Sequence, residues 1–192
     1  MDRDRTKQEF AEALEAMMGE TPLEKVRVSK LCERVGVQRA LFYYHFCDKY
    51  DLVAWIFIRD LRLSMGKGDA ETNLRNVMAT ALTRMWSRRE FYRRAFEDRG
   101  QNSIESYIHR FDVELGTETV LRATGAESLT PRQQFLIKSS SYGSIFCVVE
   151  WLKGQLEASP EDFAAWVIEG MPAFLREAYE MAFSGAEVRY RR

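Results

Sequence analysis

The sequence is poor in the residues that build metal centres, disulfide frameworks and hydrolytic sites. Histidine occurs only twice, as His45 and His109, and neither has metal-ligand spacing around it. The cysteines are Cys32, Cys47 and Cys147. Their number is odd, and their spacing fits neither a disulfide framework nor a zinc site. Cys32 and Cys147 lie in apolar runs and read as small core side chains. There is no Gly-rich phosphate loop, no nucleophile beside a base and no carboxylate pair with a histidine, so an enzyme is not expected. For the same reason no cofactor and no metal are expected. No apolar run approaches the roughly 20 residues that span a bilayer. The start Met1-Asp2-Arg3-Asp4-Arg5 is followed by no apolar stretch, so a signal peptide is not expected either. The expectation is a cytoplasmic protein without membrane contact. A formal charge of −1 excludes a polycation.

What is present is helical periodicity along nearly the whole chain, with no period-2 strand. At 192 residues and 46% hydrophobic, the chain can bury a core in one large domain or in a small and a medium one. The fold class expected is all-α, with about nine helices. The first is expected over about 6–18, with Thr6 and Glu9 as a capping box and Gly19 as the stop. Thr21-Pro22-Leu23-Glu24 reads as a turn. Helices follow at about 28–35 (ended by Gly36), 39–46, and from the cap Asp48 to about 63. Met65-Gly66-Lys67-Gly68-Asp69 breaks the pattern and marks a boundary between a domain at 1–64 and one at 69–185. Beyond it, helices are expected at about 71–87, 89–98 and 103–122, with a stop near Gly125. Thr130-Pro131 then opens a helix to about 156, and Ser159-Pro160 opens a last one to about 185. The tail Arg189-Tyr190-Arg191-Arg192 reads as frayed.

Charge is unevenly placed. From Lys25 to Lys49 there are six basic residues and two acidic ones, a local excess that attracts phosphates. The same stretch reads as two short helices joined by a Gly turn, the second crowded with aromatic and basic side chains. Phe42 and Phe46 are spaced i, i+4 and share a face. With Val26, Leu31, Val35, Val37, Leu52, Phe10 and Leu14 they can close a small core. Arg39, Ala40, Tyr43 and Tyr44 are left on the outer side. That side suits a helix in the DNA major groove. Arg39 presents a fork for guanine or phosphate, Ala40 permits close approach, and Tyr43, Tyr44 and His45 offer donors to phosphates. Lys49 adds a positive charge where a helix N-terminus also points its amides.

The stretch Gly36-Val37-Gln38-Arg39-Ala40-Leu41-Phe42-Tyr43-Tyr44-His45-Phe46-Cys47-Asp48-Lys49-Tyr50-Asp51-Leu52 resembles the DNA-binding signature of TetR-family transcriptional regulators. The resemblance covers about the first third of the chain. Glu90-Phe91-Tyr92-Arg93-Arg94-Ala95-Phe96, Gly100-Gln101-Asn102-Ser103 and Val148-Val149-Glu150-Trp151-Leu152 further resemble the branch named after DhaS. The family resemblance implies an N-terminal helix-turn-helix domain followed by a helical ligand-binding and dimerisation domain. It implies that Ser29 and Lys30 meet DNA at the start of the second helix. Arg39, Ala40 and Leu41 would face base edges, and Tyr43, Tyr44, His45 and Lys49 would hold phosphates. Two positions depart from the family's habit. Arg27 stands where Ser or Thr often caps the second helix, and Leu41 is apolar where Ser or Thr is common.

The resemblance also implies a homodimer through the last two long helices and a palindromic double-stranded operator. The apolar residues of those helices, Ile145 to Leu152 and Phe163 to Tyr179, exceed what one chain is expected to cover. A small-molecule effector is implied as well. Trp86, Phe91, Tyr92, Phe96, Tyr107, Phe111, Tyr142 and Trp151 are candidates to line its pocket, with Gln101 and Asn102 as a polar pair. Repression is the family's default, and the DhaS-like resemblance leaves activation open. The competing reading is an all-helical protein-interaction or ligand-carrier module without regulated DNA binding.

Overall fold

The computed structural model describes residues 3–65, 73–97 and 104–183. Among them are ten α-helices, one 3-10 turn and no strand. In chain order the helices are α1 (Arg3–Met18), α2 (Val28–Val35), α3 (Arg39–His45), α4 (Lys49–Ser64), α5 (Leu74–Ser87), α6 (Arg89–Glu97), α7 (Ile104–Thr124), α8 (Pro131–Leu152), α9 (Pro160–Glu169) and α10 (Ala173–Phe183). The 3-10 turn, Leu23–Lys25, lies between α1 and α2. The helices gather into two compact units, Met1–Arg59 with Arg88–Tyr107, and Asp60–Ser87 with Ile108–Arg192. Both α4 and α7 run from one unit into the other. Residues 66–69 of the expected boundary, and the tail 189–192, lie outside the described residues.

The first unit closes over aromatic side chains spaced for one face of each helix. Phe10 of α1 and Phe42 of α3 are fully buried and meet edge-on, with ring centroids 5.2 Å apart. Phe46 joins them 6.2 Å from Phe10. Leu14, Leu31, Leu52 and Ile56 complete the core at 0% exposure. Burial of each such side chain stabilises the fold by about 1.5–3 kcal/mol. Helix α6 adds Tyr92, Ala95 and Phe96 to the interior of this unit. It is also tied to α1 by charge. The Arg94 guanidinium donates to the carbonyls of Met18 (2.6 Å) and Gly19 (2.8 Å), satisfying the open end of α1. Glu90 holds both Arg93 and Arg94, and those bonds keep its carboxyl down at about 2. Glu15 on α1 pairs with Arg59 and Arg88.

The second unit is built on caps that the sequence announces. Thr130 accepts from Gln133 N at 3.2 Å while the Gln133 side chain accepts from Thr130 N at 3.0 Å, and Pro131 opens α8. Ser159 accepts from Asp162 N at 3.1 Å, and Pro160 opens α9. Trp151 is fully buried between Trp86 (4.6 Å) and Phe163 (4.8 Å), and its indole N–H donates to Ala158 O at 3.0 Å. A second cluster joins Val120, Leu129, Ile137, Leu175 and Ala178, and a third joins Leu74, Val77 and Phe183.

Three expected elements come out differently. Helix α1 already begins at Arg3, so Thr6 stands inside it at 1% exposure, and Glu9 pairs with Arg5 instead of closing a capping box. Helix α8 stops at Leu152, where Gly154 turns the chain with φ +75°. The last long helix is two helices. Pro172 has no N–H to continue α9, and its carbonyl instead accepts from Leu175 N and Arg176 N to start α10. That split raises the count from nine to ten.

Candidate nucleic-acid interface

The reading helix α3 is held by what precedes and follows it. Gly36 ends α2 in the left-handed conformation, φ +77° and ψ +32°. Its N–H reaches Glu33 O at 3.3 Å, and Val37 N–H reaches Cys32 O at 3.0 Å. This double closure returns the chain sharply into α3, and a side chain at Gly36 would strain it. At the far end Asp48 caps α4. Its Oδ1 accepts from the amides of Tyr50 (2.8 Å) and Asp51 (2.9 Å), and Asp51 Oδ2 accepts from Cys47 N at 2.8 Å.

With Phe42 and Phe46 buried, the opposite side of α3 faces outward. Arg39 and Ala40 are exposed, and so are Tyr43 (50%) and Tyr44 (63%). Arg39 donates to Tyr43 Oη at 3.2 Å and lies over its ring, 5.7 Å from the centroid. The pair presents a guanidinium fork and a phenol side by side along one exposed ridge. Leu41 and His45 are half-buried, and the His45 ring meets Tyr44 edge-on at 5.0 Å. On α2, Ser29 is half-buried. Lys30 is exposed and bonds Glu33 at 2.6 Å. Such an exposed pair is worth little, and a phosphate can replace it. Lys49 is arranged otherwise: it is half-buried, and its ammonium is turned onto carbonyls of residues 23–26.

The aromatic residues expected around an effector do not meet in one place. Tyr92 and Phe96 are core residues of the first unit. Tyr107 also belongs to that unit, with its hydroxyl on Asp48 Oδ2 at 3.4 Å. Trp86 and Trp151 meet at a tilt in the second unit. Phe91 and Phe111 are half-buried, in the first and second units respectively. Tyr142 is 63% exposed and lies flat on His109, with centroids 3.6 Å apart. Gln101 and Asn102 lie outside the described residues. A cavity of about 360 Å³ opens instead between α7 and α8, over Val113, Leu121, Leu129 and Ile137, with Glu127 and Lys138 at its margin.

Sequence reasoning passed over a polar cluster in the second unit. Ser141 Oγ lies 3.0 Å from His109 Nδ1 and 3.3 Å from Asp112 Oδ2. Burial pushes the Asp112 carboxyl up to about 7, with the Ser141 bond opposing. Burial, and then the charge of Lys138, lower the pKa of His109. Three polar residues spaced along two apolar helices leave no recognisable motif.

A capped, Gly-turned helix pair with an exposed basic-aromatic ridge, followed by a helical C-terminal domain, defines a helix-turn-helix protein of the DNA-binding class. The pattern of bacterial regulatory proteins of the tetR family matches residues 10–56, and that of a transcriptional regulator C-terminal region matches residues 72–172. The chain belongs to the TetR family of transcriptional regulators, with its DNA-binding domain at the N-terminus. Members of this family are generally non-enzymatic and bind DNA as dimers. Solved structures share the fold. The dihydroxyacetone kinase operon activator DhaS is 16% identical, with a TM-score of 0.56 over 93% of this chain and 97% of that one. A tetR-family transcriptional regulator from Streptomyces coelicolor is 13% identical, with a TM-score of 0.52 over 93% of this chain and 90% of that one. No curated protein matches the sequence. Among the described residues no helix is long and apolar enough to cross a membrane.

Proposed function

We propose that the protein is a cytoplasmic, dimeric regulator that grips a palindromic operator with α3 and releases or engages it in response to a small molecule. The observation that carries the reading is the split of α3 into a buried Phe42/Phe46 face and an exposed Arg39/Ala40/Tyr43/Tyr44 face. Residues 1–64 would read DNA, with Ser29, Lys30, Arg39, Ala40, Leu41, Tyr43, Tyr44, His45 and Lys49 as contacts. Residues 69–185 would dimerise and hold the effector.

The homodimer would form on α8 and the two helices after it. On α8, Phe135, Tyr142 and Phe146 are 63–67% exposed, and Gly143 between them has nothing within 4 Å of where a Cβ would stand. A mid-helix glycine costs about 1 kcal/mol relative to alanine, and a close crossing with a second copy would explain it. Two readers on a two-fold axis need half-sites about one helical turn or a multiple apart.

The deciding experiment is recovery of duplexes from a randomised library by the full-length protein. A palindromic consensus, with affinity falling steeply as salt rises, is the expected result. Failure to recover any duplex would leave the interaction-module reading in its place.

A further inference from the structure

The cavity between α7 and α8 has an apolar floor and two charged residues at its margin. Val113, Thr117 and Leu121 recur at every fourth residue, so one stripe of α7 forms one wall. Gln134, Ile137 and Lys138 form the facing stripe of α8. Leu129 (8% exposed) and Ile137 (2%) belong to the core of the second unit, so the floor is backed by packed side chains. The Gln134 side-chain amide donates to Leu129 O at 3.2 Å and pins the loop that leads into α8. At about 360 Å³ the cavity lies in the range of small-molecule sites, about 300–1,000 Å³.

The two charges differ in their surroundings. Glu127 stands on the exposed loop between α7 and α8. Lys138 stands two turns into α8, near enough to His109 of α7 for its charge to lower the pKa of that ring. Among the described residues no carboxylate pairs with Lys138. The one acid of the adjoining polar cluster is Asp112, which bonds Ser141, and burial holds its carboxyl protonated up to about 7. The Lys138 end of the cavity is therefore short of negative charge, and it adjoins an apolar floor. A carboxylate carried on an apolar tail satisfies both. Glu127 at the loop disfavours a second acid group on the same molecule.

We propose that this cavity binds a medium-chain monocarboxylate, its tail over Val113, Leu121, Leu129 and Ile137 and its head on Lys138. The ligand bridges α7 to α8, the helix that also carries Phe135, Tyr142 and Phe146 of the proposed seam. That such a ligand regulates DNA binding rests on the effector reading above, and that the cavity takes it rests on the cavity's own residues.

The test uses the full-length protein and octanoate, with the imidazoles of His45 and His109, the only two in the chain, followed by NMR against pH. Octanoate should bind saturably with a Kd below about 1 mM. It should raise the pKa of His109, because a carboxylate on Lys138 cancels the charge that lowers it. His45 should not respond. In Lys138→Met, which keeps the aliphatic stem, the pKa of His109 should be higher before any ligand is added. Octanoate should then bind about tenfold more weakly and shift that pKa no further. Octylamine, which reverses the charge of the head, and suberate, which adds a second acid, should each bind about tenfold more weakly than octanoate. The proposal is overturned if octanoate does not bind, if Lys138→Met binds it as well as the wild-type protein, or if octylamine or suberate matches it. If octanoate binds as described but leaves the affinity for a recovered duplex unchanged, the site stands and its role as the effector site falls.

Discussion

Tyr107 donates its phenol to Asp48 Oδ2 at 3.4 Å, while the other oxygen of that carboxylate caps α4 through the amides of Tyr50 and Asp51. The cap next to the reading helix is thus shared with α7, which continues into the second unit. Burial first, and then the charges of Asp48 and Asp51, push the phenol up to about 12, so it stays a donor throughout the physiological range.

Removing that hydroxyl should be felt as stability. Tyr107→Phe is expected to lower the unfolding free energy by about 0.5–1.5 kcal/mol. Urea titration should show a lower midpoint with an unchanged slope. An unchanged midpoint would mean that the cap is held without Tyr107.

Arg39 should decide base preference. Its fork stands on the exposed ridge of α3 beside Tyr43. Arg39→Ala is expected to cost about 1–3 kcal/mol on the preferred duplex and to relax preference at one base pair of each half-site. Competition binding against single-base variants checks it. Equal weakening on all of them would make Arg39 a phosphate contact.

The α8 face should decide oligomeric state. Phe146→Glu places a charge in the proposed seam, where truncating or charging an anchor costs roughly 2–4 kcal/mol. Sedimentation velocity should then show monomer at concentrations where the wild-type protein is dimeric. A dimer that survives the change would move the interface off this stripe.

Asp112 should leave a signature in the pH dependence of stability. Its folded pKa is raised to about 7 from the ordinary 3.8, so the folded chain holds a proton that the unfolded chain gives up. Stability from this group is therefore constant below about 3.8, falls as pH rises to about 7, and is level above. His109 acts in the opposite sense. Its lowered pKa favours the neutral ring, so it costs stability as pH falls through the ordinary 6.5. Asp112→Asn removes the first effect and leaves the second. The variant should gain on the wild-type protein as pH rises from 4 to 7, by roughly 1–3 kcal/mol in urea midpoints converted to free energy.

How far the sequence could be read depended on how local each device was. Gly36, Thr130-Pro131 and Ser159-Pro160 act on amides and carbonyls within a few residues, so their residue types alone placed the ends of α2 and the starts of α8 and α9. The inward face of α3 was equally legible, because Phe42 and Phe46 obey helical spacing. Pro172 was passed over because apolar periodicity continues through it from Phe163 to Phe174. Lys49 and Tyr107 were beyond reach for another reason: their partners lie 23–26 and 59 residues away. Thr6 shows the converse failure, a residue of capping type buried inside a helix by tertiary packing.

The tilted contact of Trp86 with Trp151, 4.6 Å apart and inclined by 31°, also makes the second unit optically self-reporting. Two indoles this close share their electronic transitions. Far-ultraviolet circular dichroism of the intact protein, where the strong indole transitions lie, should therefore carry an exciton couplet, superposed on the helix signal, that follows the spacing of α5 and α8. No external label is needed to watch that spacing while compounds are screened.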